Sequence, residues 1–83
     1  MPKLTYTKHA LDVLAERQIP QEWVERAAAS PAFTEHVEDG TVHCIVPIAE
    51  HGGRLLRVVL AGEPAPHRVV TAFFDRRLRR DTQ

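Results

Sequence analysis

Cysteine is almost missing from this 83-residue chain. Cys44 stands alone, so no intramolecular disulfide can form and a zinc site built on several cysteines is excluded. No apolar run approaches the roughly 20 residues that a membrane helix needs. Residues 1–8 are polar and lack the apolar stretch of a secretory signal. These absences lead to the expectation of a cytoplasmic, bacterial protein. There is no P-loop, GxGxxG, nucleophile elbow or zinc-binding pattern, and no internal repeat. Net charge is zero, which speaks against a strong electrostatic binder of nucleic acid.

What is there reads as ordinary globular protein. Hydrophobic residues make up 43% and charged residues 27%, which excludes a disordered or collagen-like chain. The length suits a single domain over residues 1–83, with 76–83 as a frayed, charged tail. A chain this short buries only about 60–65% of the surface that its unfolded form exposes, so a homodimer would add useful burial. The zero net charge also hides an asymmetry. Residues 1–53 carry four bases and eight acids, whereas residues 54–83 carry seven arginines against Glu63, Asp75 and Asp81. Arginine favours bidentate pairing with phosphate or carboxylate.

The spacing predicts two helices and then strands. Thr7 or Thr5 can cap a helix from Lys8 to Arg17 with Ala10, Leu11 and Leu14 on one stripe. Pro20 suits the first turn of a second helix, whose apolar stripe is Trp23, Val24, Ala27 and Ala28, and Ser30-Pro31 stops it. A stretch around Phe33–Val37 leads to a turn at Asp39-Gly40. In Thr41–Ile48, Val42, Cys44, Val46 and Ile48 share one face, with His43 and Ile45 on the other. After His51-Gly52-Gly53, the strand Leu55–Leu60 puts Leu56, Val58 and Leu60 on one face and Arg57 on the other. A proline-rich turn, Gly62–Pro66, precedes a last strand, His67–Phe74. The expectation is an α+β fold, two N-terminal helices packed on a three- to four-stranded antiparallel meander.

A few residues carry chemistry. His9 lies in the first turn of the first helix, where the helix field disfavours a cation, so a neutral imidazole there is suited to general-base work. His9, Val13 and Arg17 line one flank at helical spacing. Arg57, mid-strand among apolar neighbours, can meet an anion or pair with a carboxylate, and Arg54 beside the glycine turn can serve the same end. Thr71 interrupts an apolar strand, and Arg76 follows it. His36, His43 and His51 match no standard metal spacing. Cys44 reads as a small core residue.

Thr7-x-His9-Ala10, Glu16-Arg17-x-Ile19, Glu22-x-Val24 and Pro31 come in order before Arg54-Leu55-Leu56-Arg57-Val58-Val59 and Val69-Val70-Thr71-Ala72-Phe73. Together they resemble the bacterial family called domain of unknown function 4258, over residues 5 to 76. The Lys8-His9 pair that opens a helix, the following proline and the arginine-bearing strand are also similar to the layout of the BrnT toxins. The resemblance implies the barnase/EndoU/colicin/RelE-like fold, whose active members are metal-independent ribonucleases, and it brings His9, Arg57 and the Thr71 strand to a shared site. Two departures stand out: Val13 where relatives often carry arginine, and Gln18 where they often carry glycine. Loss of the helix arginine removes a phosphate ligand and favours an inactive relative.

The expected function is therefore a toxin-type endoribonuclease that needs no metal or cofactor and works by attack of an RNA 2′-hydroxyl on the adjacent phosphate. His9, Arg57, Arg17 and Thr71 would carry the chemistry, and Arg54, Arg76 and Lys8 would hold nucleic acid. The expected partners are RNA, an antitoxin-like protein or a second copy. The alternative is a non-catalytic module that docks a protein partner or itself. A third reading is a small-molecule or metal sensor that uses the histidines.

Overall fold

The fold is described from a computed structural model at residues 4–62 and 67–75. Seven regular elements follow one another: β1 (Thr5–Tyr6), α1 (Lys8–Arg17), α2 (Gln21–Ala29), β2 (Phe33–His36), β3 (Val42–Ile48), β4 (Arg54–Ala61) and β5 (Arg68–Phe74), with a 3₁₀ turn at Ala49–His51 between β3 and β4. The architecture is α+β, as expected. Residues 76–83, including Arg76, and residues 63–66 lie outside the described residues. No helix among the described residues is long and apolar enough to cross a membrane.

The first helix is set by local chemistry. Thr7 is extended and its side-chain oxygen accepts the Ala10 N–H at 3.0 Å, which satisfies one of the orphan donors at the helix start. Gln18 ends the helix in the left-handed region at φ 57°, a conformation that glycine adopts without steric cost. The buried stripe is Ala10, Val13 and Leu14, while Leu11, expected inside, is 44% exposed. The stripe is turned because α1 packs on β5. Pro20 forms the cap just ahead of α2 rather than its first turn.

The sheet corrects the expected strand count and direction. It has five strands in the order β1-β5-β4-β3-β2, and β1 pairs with β5 in parallel. The other pairings are antiparallel. At two residues, β1 is too short to show any periodicity, and its partner lies at the far end of the chain. Past β1, Thr7 Oγ1 donates to the Val70 carbonyl at 3.4 Å and Arg17 Nη1 donates to the Ala72 carbonyl at 2.9 Å. These bonds engage carbonyls along the outer edge of β5, so α1 shields an edge that β1 leaves uncovered.

Both helices lie on one face of the sheet. Ala10, Leu14, Val24 and Ala27 join Cys44, Val46, Ile48, Leu56, Val58, Leu60, Val69 and Ala72 in one apolar core. Val69 and Ala72 differ in parity yet share that face because the β4–β5 register slips between Val59 and Leu60. The bulge absorbs one residue of β5 and turns Thr71 and Phe73 to the far side. The far face thus carries Phe33, Glu35, His43, Arg57, Thr71 and Phe73, flanking the buried Ile45, Leu55 and Val59.

Candidate functional site

Arg57 lies in the middle of β4, opposite Ile45 on one side and Phe73 on the other. Its neighbours Leu56 and Val58 point into the core, so strand alternation sends the guanidinium to the far face. There its side chain is only 12% exposed and meets three partners. Nε donates to Asp75 Oδ2 at 2.9 Å, and Nη1 donates to Glu35 Oε1 at 2.8 Å. Nη1 also stands 2.8 Å from His43 Nδ1. A guanidinium has no lone pair to offer, so Nδ1 is the acceptor and the neutral ring carries its proton on Nε2.

Main-chain pairing holds the partners in place. Glu35 and His43 are directly opposed across β2 and β3. Asp75 follows β5 and its N–H donates to the Leu55 carbonyl at 2.9 Å, which seats its carboxylate beside Arg57. Asp75 is buried, at 4% side-chain exposure, while Glu35 is open to solvent at 60%. Burial pulls the Arg57 pKa down, but the hydrogen bonds to Glu35 and Asp75 outweigh it and leave the guanidinium above its usual range. The same hydrogen bond and charge hold the Glu35 carboxyl below its usual range, so it is ionised at neutral pH. An exposed carboxylate, an imidazole and a fixed cation thus stand together on one sheet face.

The sequence-predicted residues are divided by the fold. Arg57 and Thr71 share the far face, with Thr71 opposite Val59. His9 and Lys8 are exposed at the start of α1, and His9 is not among the polar partners of Arg57. Arg17 and Arg54 meet elsewhere. With His51, Phe73 and Phe74 they line an open cleft of about 510 Å³ beyond the end of β5. His51 stacks on Phe74 with ring centres 4.5 Å apart, and Trp23 meets the edge of Phe74 at 6.1 Å. The histidines are parted: His43 goes to Arg57 and His51 to Phe74. Among the described residues no three His, Cys, Asp or Glu side chains are grouped to hold a metal ion. Cys44 is buried, and burial pushes its thiol pKa up.

A family model described as a domain of unknown function (DUF4258) matches residues 6–74. The chain belongs to this family. No curated protein and no solved structure gives a significant match to it. The span matched to DUF4258 runs from β1 to the end of β5 and includes Glu35, His43 and Arg57, stopping one residue short of Asp75.

Within this DUF4258 domain, sequence reasoning missed the company that Arg57 keeps. Part of the signal was present. Alternation already put His43 opposite Cys44 in facing and Arg57 opposite Leu56, so both belonged to the side away from the core. Glu35 carried no such signal, because all four residues of β2 are exposed and show no alternation of burial. Asp75 stands just past a strand end, where a carboxylate reads as a solvent-facing terminus.

Proposed function

We propose that this chain is a metal-independent endoribonuclease of toxin type, with its centre at Glu35, His43 and Arg57. The observation that carries the reading is one guanidinium nitrogen, Arg57 Nη1, within 2.8 Å of both a solvent-open carboxylate and an imidazole nitrogen. Cleavage by 2′-hydroxyl attack needs a proton acceptor, a proton donor and a cation for the developing charge on phosphorus. Glu35 takes the 2′-hydroxyl proton as the oxygen bonds to phosphorus. A phosphate oxygen replaces His43 Nδ1 as acceptor of the Arg57 N–H. The freed imidazole takes up a proton from solvent water and, as imidazolium, gives it to the departing 5′-oxygen, while Glu35 returns the 2′-hydroxyl proton to solvent. The products are a cyclic 2′,3′-phosphate and a 5′-hydroxyl end. His9, on the surface of α1, receives no step, and Thr71 lies on the same sheet face as Arg57, within the stretch the phosphate would cross.

The kinship with BrnT and RelE-type toxins belongs to the same proposal, as does an antitoxin-like partner. Two helices ahead of an antiparallel run from β2 to β5 support it. A second reading, a non-catalytic module that docks a protein or a second copy, is favoured by Phe33. This ring is 58% exposed on β2, at the outer edge of the sheet.

Purified chain incubated with mixed-sequence RNA in a metal chelator decides between them. The nuclease reading expects fragments ending in cyclic phosphate, lost in Glu35→Gln and in His43→Ala. RNA left intact by the folded wild-type chain, or cleavage that survives both substitutions, would sink it.

A further inference from the structure

The proposed centre has an electrostatic deficit. Arg57 is one positive charge set against two carboxylates, Glu35 and Asp75. A phosphodiester is not drawn to such a group from solution, so the attraction must come from elsewhere on the surface. The cleft beyond the end of β5 supplies it. Arg54 is exposed and has no ion pair or hydrogen bond among the described residues. Arg17 gives one N–H to the Ala72 carbonyl, a neutral partner, and keeps its charge and remaining donors. Glu50, the carboxylate nearest to Arg54 in sequence, is already committed to Arg26 at 2.9 Å, and Asp75 is committed to Arg57.

The cleft also has an aromatic wall. His51 and Phe74 lie nearly parallel, at 28° between planes, and Trp23 buttresses them from α2. Two guanidinium groups beside stacked rings form the combination that holds single-stranded nucleic acid, phosphate on the cations and base on the rings. A volume of about 510 Å³ is within the range of small-ligand sites. Phe73 joins this cleft to the proposed centre, since it lines the cleft and is the cross-strand partner of Arg57.

We infer that the cleft of Arg17, Arg54, His51 and Phe74 binds one nucleotide of a single-stranded RNA, next to the nucleotide whose phosphate reaches Arg57. As a position along a cleaved strand, it rests on the reading of Glu35, His43 and Arg57 as the cleaving centre. As a binding site, it can be tested without cleavage. Duplex RNA is excluded as the favoured ligand, because its bases are stacked on one another and cannot meet the rings.

The test uses a fluorescent single-stranded 2′-O-methyl RNA, which has no free 2′-hydroxyl to attack. Anisotropy titrations compare the wild-type chain with Arg54→Glu, Arg17→Ala and Glu35→Gln. Arg54→Glu is expected to weaken binding at least tenfold and to flatten its dependence on salt. Arg17→Ala is expected to weaken it severalfold, and Glu35→Gln to bind at least as tightly as wild type. Because Arg54 has no ion pair or side-chain hydrogen bond among the described residues, its substitution is expected to leave the fold intact, which circular dichroism checks. Equal binding by wild type and Arg54→Glu overturns the inference, as does equal affinity for the matched duplex. If the 2′-O-methyl strand binds through Arg54 while all-ribose RNA stays uncut, the binding site stands and the cleavage reading alone falls.

Discussion

On the helix-covered face of the sheet, Ile48, Leu56, Val58 and Val69 are fully buried in an aliphatic core under α1 and α2. On the far face the same strands turn out Arg57, His43 and Thr71 among Ile45, Leu55 and Val59, and a nearly buried guanidinium is joined to a buried carboxylate. The covered face follows from the hydrophobic effect alone, since each side chain there is removed from water. The far face does not. A buried ion pair often contributes no more stability than well-packed apolar residues of the same volume. The cluster around Arg57 therefore calls for an explanation other than stability, and the chemistry on phosphate proposed above is one.

Mutations can test how far the two faces differ. Leu56→Ala, at the centre of the covered face, should cost about 3 kcal/mol, read by urea denaturation. In a chain this short that is a large share of the total stability, and a cost below about 1 kcal/mol would show that the core is not where it is drawn. Glu35→Gln should do the reverse. The melting temperature should hold near wild type while cleavage of RNA falls about a hundredfold.

Asp75→Asn lies between these extremes. It removes the buried charge that offsets Arg57 and should destabilise by about 2 kcal/mol. The cost is less than for a fully buried pair because Arg57 retains Glu35. A neutral result would mean that the far-face cluster is not a unit. Gln18→Gly should stabilise by about 0.5–1 kcal/mol, because the residue at φ 57° then adopts its conformation without a Cβ conflict.

Acid should separate the faces last and least. Glu50 is held by Arg26 from the ordinary 4.5 down to about 2, and Glu35 is lowered by Arg57. A carboxylate with a lowered folded-state pKa stabilises the fold fully above its unfolded pKa, and this is lost as pH falls through the folded value. Stability should decline from about pH 4.5 toward pH 2. Glu50→Gln should flatten that decline slightly, since the pair is on the surface. Denaturation midpoints at a series of pH values provide the check.

Much of this was legible beforehand. Both helices, the turn at Asp39-Gly40 and the inward faces of β3 and β4 follow from spacing and caps. Asp39 Oδ1 accepts from Thr41 N–H at 3.0 Å, the local bond that such a turn favours. Leu11 was misassigned because a helix's apolar stripe does not say which of its flanks meets the sheet. The site was legible only in fragments. Arg57 stood out as a charge in an apolar strand, but the sequence paired it with His9, whereas the sheet pairs it with Glu35, His43 and Asp75. Arg17 and Arg54, singled out separately, share a cleft that no local pattern announces.

The sequence by itself determined where the chain is helical, where it turns and which residues of β3 and β4 face the core. Those outcomes depend on bonds and periodicities that span only a few residues. Tertiary structure decided the parallel seat of β1 on β5, the bulge that turns Thr71 outward and the meeting of three side chains around one guanidinium. Each of these depends on strand register, and register is fixed by how the whole core packs, since a slip of one residue would exchange the two faces of a strand.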